Sequence, residues 1–214
     1  MTSEVKRIHL ESMQPGLAEL ERAAVWCIKK ADLTDITGKV VIAIQTRGKK
    51  AKCRGWMKKN SWSTREGELC NEVTITSEGL NRDPIDIIGT VIHECIHLIA
   101  LTDDVQDVSK VGRHNKHFKE YAEILGLECA KPSDSYGWGY TTVSEELRKD
   151  IINSFKPDVA AFNVFCLVPE PSEPTNKNKA WSCACDKPIK VRTTREDVAL
   201  HCRTCDKDLA IQEV

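Results

Sequence analysis

Nowhere does the chain carry about 18 uninterrupted apolar residues, the length at which a membrane span is considered. Its amino terminus, MTSEVKRIHLESMQPG, also lacks an apolar segment behind its basic residues. Neither a span nor a secretory signal is therefore expected. An excess of one charge is missing too, since 31 Lys and Arg face 32 Asp and Glu for a net charge of −1. The chain as a whole is no electrostatic magnet for nucleic acid or acidic membranes, so any such contact must be local. The low hydrophobicity of disordered chains is absent as well: 41% of the 214 residues are hydrophobic and 29% charged. That balance predicts one folded domain, or one domain with a small appendage. There is no internal repeat.

Cysteine is plentiful at ten residues. Cys27, Cys53, Cys70, Cys95, Cys129 and Cys166 are scattered singly through apolar stretches, as small buried hydrophobes are in a reducing compartment. Cys183, Cys185, Cys202 and Cys205 instead form a CxC and a CxxC pair. Paired thiols at short spacing predict a structural four-thiolate zinc site. The residues around them are too few for an independent hydrophobic core and need such a staple.

Residues 15 to 31 place Leu17, Leu20, Ala24, Ile28 and Ala31 at helical spacing. KVVIAIQT, from Lys39 to Thr46, and NEVTIT, with Val73 and Ile75 alternating with polar neighbours, read as strands. From Asp83 the pattern is helical again, with Asp83 as cap, Pro84 in the first turn and an apolar series through about Leu101. A polar connection holding Asp103, Asp104 and Asp107 leads to a helix from Lys116 to Leu125, stopped by Gly126. An aromatic loop, SYGWGYTT, supplies Tyr136, Trp138 and Tyr140 as candidate cleft residues, and Thr142 with Glu145 suggests a capping box for a helix ended by Pro157. The stretch 168–180, VPEPSEPTNKNKA, has linker composition. The expected organisation is a domain over 1–167, a Pro-rich linker over 168–180 and a cysteine-bearing unit over 181–214. The expected fold class is α+β, with helices on one side of a small antiparallel sheet.

His93-Glu94-Cys95-Ile96-His97 is an HExxH motif on the second of these helices. Histidines four apart lie on one helical face, so both imidazoles reach one Zn²⁺, and the glutamate between them can act as general base toward a metal-activated water. Buried in an apolar helix without a metal, these polar groups would be costly. A catalytic zinc takes three protein ligands and keeps one position for water, so a third ligand is needed. An HExxHxxGxxH pattern would require Gly at 100 and His at 103, where this chain has Ala100 and Asp103. His114 and His117 are the candidates. His114 shares a helical stripe with Phe118, Tyr121 and Leu125, which would aim it inward, and Glu120 would serve if the ligand were a carboxylate.

The strand NEVTIT, the helix with HECIH, and HNKHF after a 16-residue gap resemble the SprT-like metallopeptidases, which include the Spartan proteases. Gly55-Trp56 with Trp62 is similar to that family's aromatic segment, and WSCAC with HCRTC to its carboxy-terminal zinc ribbon. The resemblance implies a zincin-like domain with HExxH on a central helix. It maps His93, His97 and His114 to a catalytic zinc and Glu94 to the base, with a second, structural zinc on Cys183, Cys185, Cys202 and Cys205. The family usually has glycine after the third histidine, where this chain has Asn115. The implied function is a metalloprotease of DNA repair that degrades proteins crosslinked to DNA. Such an enzyme would be intracellular and cytoplasmic, or in a nucleoid or nucleus when DNA-bound.

Lys49, Lys50, Lys52, Arg54, Lys58 and Lys59, with Trp56 among them and no acidic residue between, form a basic segment. Such a segment is a candidate contact for nucleic acid, single-stranded DNA above all, because lysine and arginine bind phosphates and tryptophan stacks on bases. The bland alternative is a solvated hairpin whose tryptophan belongs to the core. A peptide substrate could add as a strand beside NEVTIT. The competing function is a non-proteolytic scaffold that keeps both zincs for structure and binds nucleic acid or a protein partner. Glu94 favours the enzyme, since a structural site needs no carboxylate beside its metal. A metal-dependent hydrolase of non-peptide amides fits the same residues.

Overall fold

A computed structural model describes residues 11–32, 38–48, 53–133, 137–168, 179–195 and 197–212. The chain divides into two compact units, Met1–Val168 and Pro169–Val214. Residues 169–178 of the expected linker lie outside the described residues.

The first unit is α+β. Its main sheet consists of β1 (Lys39–Gln45), β2 (Gly55–Ser63) and β3 (Leu69–Thr76), in the order β1-β3-β2. The expectation of an antiparallel sheet holds for half of it: β2 pairs antiparallel with β3, whereas β1 pairs parallel with it. The cause is β2, which reads as a basic segment rather than a strand because neither its burial nor its apolar residues alternate. With β2 running down one edge, the chain returns through the middle of the sheet in the direction of β1. NEVTIT is therefore the central strand with both edges paired, so a peptide cannot add beside it. Among the described residues β2 has β3 as its one strand neighbour.

Side chains alternate across the sheet, and Ile42, Ile44 and Ile75 face a core shared with two helices. These are α1 (Gln14–Lys30) and α2 (Pro84–Thr102). α1 buries Leu20, Ala23, Ala24 and Cys27 and leaves Glu21, Arg22, Lys29 and Lys30 in solvent. α2 starts where the sequence predicts: the Asp83 carboxylate accepts the Ile85 N–H at 2.8 Å and Pro84 takes the first position. Ile87, Ile88, Val91, Ile92, Cys95, Ile96 and Leu98 bury it on nearly every side. By length and composition α2 would suffice to cross a membrane, but it is a mostly buried core helix. Helices apolar all round occupy the centre of a fold.

α3 (Lys116–Ile124) inserts Phe118 and Ala122 into the same core, and Gly126, at φ +90°, ends it. A two-stranded sheet of β4 (Leu127–Ala130) and β5 (Tyr140–Val143) follows. Thr142, expected to cap a helix, is in β5. The cap is Ser144, whose hydroxyl accepts the Leu147 N–H at 3.1 Å at the start of α4 (Glu145–Asp150). A π-helical turn, Ile151–Phe155, continues α4 until Lys156 enters the left-handed region at φ +54°.

The second unit holds β6 (Lys179–Ser182), β7 (Lys190–Thr193), β8 (His201–Cys202), β9 (Lys207–Asp208) and β10 (Ala210–Gln212). β10, β6 and β7 form one antiparallel sheet and β8 with β9 another. Its buried apolar set is small: Trp181, Cys183, Cys202 and Leu209.

Candidate metal centre and active site

α2 presents His93 and His97 one turn apart, with ring centroids 5.4 Å from each other. His114 closes the group, its Nε2 lying 3.2 Å from His93 Nε2 and 3.1 Å from His97 Nε2. A tetrahedral zinc with Zn–N of 2.0–2.1 Å sets its nitrogen ligands about 3.3 Å apart, close to both values. Three ring nitrogens aimed at one point suit a cation there. The ring of Phe118 backs all three imidazoles, with centroid separations of 4.7, 5.0 and 4.2 Å.

The far ring nitrogens are also fixed. His97 Nδ1 meets the Asp107 carboxylate at 2.5 Å, and His93 Nδ1 meets the Thr141 hydroxyl at 2.9 Å. These contacts leave Nε2 to face the common point. The His114 ring lies against Gly139, where a Cβ would stand 2.3 Å from His114 Nδ1. Only glycine fits there.

His114 is the third member of the group, as expected, but for a different local reason. It precedes α3 and is held as extended backbone, bridged to Val108 and to Gly137. Asn115 caps the helix through its side-chain oxygen to the His117 and Phe118 N–H groups. Asn115 thus has a helix-starting role. His117 points elsewhere, 3.3 Å from Glu120 on the surface. Neither reaches the cluster. Asp103 accepts a bond from Tyr121 at 2.7 Å.

Glu94 is buried beside the histidines, and the Met57 N–H donates to its carboxylate. At Gly55 a Cβ would sit 2.9 Å from both Glu94 Oε1 and the Thr74 carbonyl oxygen, so β2 can approach this closely only with glycine. Burial pushes the Glu94 carboxyl up to about 7, against the lowering influence of His97. Burial and the neighbouring imidazoles hold His93 well below its ordinary value and His114 at about 4. His97 is opposite. Burial disfavours its charged form, yet the Asp107 hydrogen bond and the Glu94 and Asp107 charges outweigh that and raise it.

Two cavities flank the cluster: one of about 480 Å³, lined in part by Arg54, Arg82, Thr141 and Tyr140, and one of about 270 Å³, lined in part by Trp56, Met57 and Asp107. Of the aromatic loop, Tyr140 reaches the cleft. Trp138 carries the Lys119 ammonium 4.5 Å above its ring, and Tyr136 lies outside the described residues.

In the basic segment, Lys49, Lys50 and Lys52 lie outside the described residues. Lys58 and Lys59 are exposed on β2. Trp56 is tied down: its indole N–H donates to Glu72 at 2.8 Å, and the Arg47 guanidinium lies 4.5 Å over its ring. Trp62 donates to the same carboxylate at 2.9 Å, and Ser61 and Thr74 at 3.0 and 2.6 Å. Burial alone would raise Glu72, but these bonds hold it below the usual carboxylate range. Two tryptophans are thus pinned over a β3 carboxylate, on the sheet face away from α1 and α2.

In the second unit the sulfurs of Cys183, Cys185, Cys202 and Cys205 lie within 4.8 Å of one another, with Cys185 Sγ and Cys202 Sγ 3.7 Å apart. Four thiolates about a tetrahedral zinc, at Zn–S of 2.3 Å, stand about 3.8 Å apart. The Ile189 N–H points at Cys183 Sγ at 3.2 Å, and backbone N–H groups of Cys205 and Thr204 bring the Cys202 thiol down to about 6. His201 turns away to Asp208 and Asp206.

Asp107, Thr141, Gly139 and Gly55 are the site residues that sequence reasoning missed. A ligating histidine needs an acceptor for its other nitrogen, which directs attention to Asp103, Asp104 and Asp107, but only the fold selects among them. Comparison with family models, curated proteins and solved structures gives no match for this chain.

Proposed function

We propose that the chain is a zinc-dependent endopeptidase of the SprT-like kind, with a zincin-like catalytic unit followed by a zinc ribbon. The observation that carries this reading is the convergence of His93, His97 and His114 Nε2, at 3.1 and 3.2 Å, beside the buried Glu94 carboxylate of the same helix. Three imidazoles with an open position are the donor set of a catalytic zinc, and four thiolates that of a structural one. Bound zinc supplies Lewis-acid polarisation and lowers the pKa of a water it holds to about 7.

The chain's own residues supply the rest. Asp107 and Thr141 orient the His97 and His93 rings. Glu94, buried beside the histidines, would take a proton from the attacking water and pass it to the leaving amine. A substrate strand lies along β2, whose outer edge borders the cleft. In this reading the substrates are proteins associated with DNA. Its supports are the family resemblance and the exposed Lys58 and Lys59 on β2.

The test is cleavage of casein and histones by the zinc-loaded protein, with and without single-stranded DNA, for the wild type and Glu94→Gln. The expected loss in the variant is about 10²- to 10⁴-fold with zinc content unchanged. Two zincs per chain with no cleavage under any condition would instead leave a scaffold.

A further inference from the structure

The cleft is not symmetric about the histidines. The larger cavity carries two guanidinium groups, Arg54 and Arg82, next to His93 and Glu94. Arg82 is held in place by neutral oxygens: Nε donates to Gly79 O at 2.6 Å, Nη1 to Asp86 O at 3.2 Å and Nη2 to Thr90 Oγ1 at 3.0 Å. A guanidinium has five N–H donors, so two remain. Asp86 lines the same cavity, yet no carboxylate of the described residues lies within ion-pair distance of either arginine. Burial, then the neighbouring Arg54 charge, brings Arg82 down to about 10 against the opposing influence of the Asp86 carboxylate, so it remains cationic at neutral pH. Two cations of one cavity wall, one of them half-buried, draw an anion into the space between that wall and the reacting centre.

Resting on the peptidase reading above, we propose that this cavity binds the side-chain carboxylate of a substrate aspartate or glutamate next to the scissile bond. Arg54 immediately precedes β2 and Met57 lies within it, toward the smaller cavity. A substrate strand antiparallel to β2 runs from the Met57 end to the Arg54 end. The acidic residue is thus the one that follows the cleaved bond, and Arg54 and Arg82 are specificity-determining residues.

The experiment uses the full zinc-loaded chain and short labelled peptides that differ only in Glu, Gln or Lys, placed at each position in turn. Binding to Glu94→Gln is read by fluorescence anisotropy and cleavage by the wild type as kcat/KM. The Glu peptide is expected to bind, and to be cut before the Glu, about tenfold or more better than the Gln peptide, with Lys worst. In Arg54→Glu, a change at an exposed position, the order of Glu and Lys reverses. Equal binding of all three peptides at every position overturns the proposal, even if the wild type cleaves them. So does a gain from a free terminal carboxylate that an internal Glu does not give. Glu-selective binding without any cleavage upholds the cavity's preference and removes the peptidase reading alone.

Discussion

The two clusters that could hold a metal ion are built on opposite principles. The three histidines hang on a packed scaffold: α2 is buried by its own isoleucines and valines and carries His93 and His97 on one face, and His114 joins them from the bridged backbone before α3. Two of the four cysteines, Cys183 and Cys202, are themselves half of the buried apolar set of their unit, and Cys185 and Cys205 pack against it. In the first unit packing positions three candidate ligands, and on the proposed reading one coordination position is left for chemistry. In the second the candidate ligands stand in for packing, and a metal on all four would have every position taken. On that reading the difference is between a metal used by a fold and a metal that makes one.

The largest expected effect follows from that contrast. A strong chelator should unfold residues 179–212 while the first unit keeps its helices. Amide NMR or hydrogen exchange resolved by segment reads both at once. Structural zinc in units this small is worth about 10–16 kcal/mol in apparent binding free energy, whereas α2 has its apolar burial to fall back on. If both units melt together, the contrast is wrong.

Asp107→Asn should weaken zinc at the histidine cluster by about 10- to 100-fold, because the lost charge no longer orients and polarises His97. Zinc titration should show the cysteine cluster unaffected. A smaller difference is in protons. His93 and His114 lie below their ordinary values and are neutral at pH 7, so they bind a metal without releasing a proton, and the histidine cluster has few protons to give. Cys185, pushed up to about 12 by its bonds to Cys183 and Cys205, is protonated at pH 7 and must lose its proton. Zinc uptake in an indicator solution at pH 7 should therefore release more protons in His114→Ala, which keeps the thiols, than the wild type adds through its histidine cluster.

What was legible in the sequence is local, and what was not is tertiary. Asp83-Pro84 and the run of isoleucines announced α2 and carried HExxH on one face without help from the rest of the chain. Gly126 marked the end of α3 because its backbone needs a positive φ. β2 escaped notice because Gly55 to Ser63 is a half-exposed edge strand with a bulge between Lys58 and Trp62, and its exposure does not follow the alternation of a strand buried on one face. Missing β2 also hid the parallel pairing of β1 with β3. His114 was found through its spacing from Phe118, although it is backbone-bridged before the helix rather than helical. Its orientation comes from Gly137 and Gly139, more than twenty residues downstream, and no local pattern encodes that contact. The Glu72 cluster was invisible for the same reason: a segment with no acidic residue of its own receives one from the neighbouring strand.

X-ray absorption at the zinc edge, with metal content on the same sample, tests most directly whether one chain holds two unlike metal sites. The account predicts two zincs per chain and two ligand shells, sulfur at about 2.3 Å and nitrogen at about 2.0–2.1 Å, with the nitrogen shell lost in His114→Ala. One zinc per chain with sulfur ligands only would contradict it, because His93, His97 and His114 would then converge on no metal.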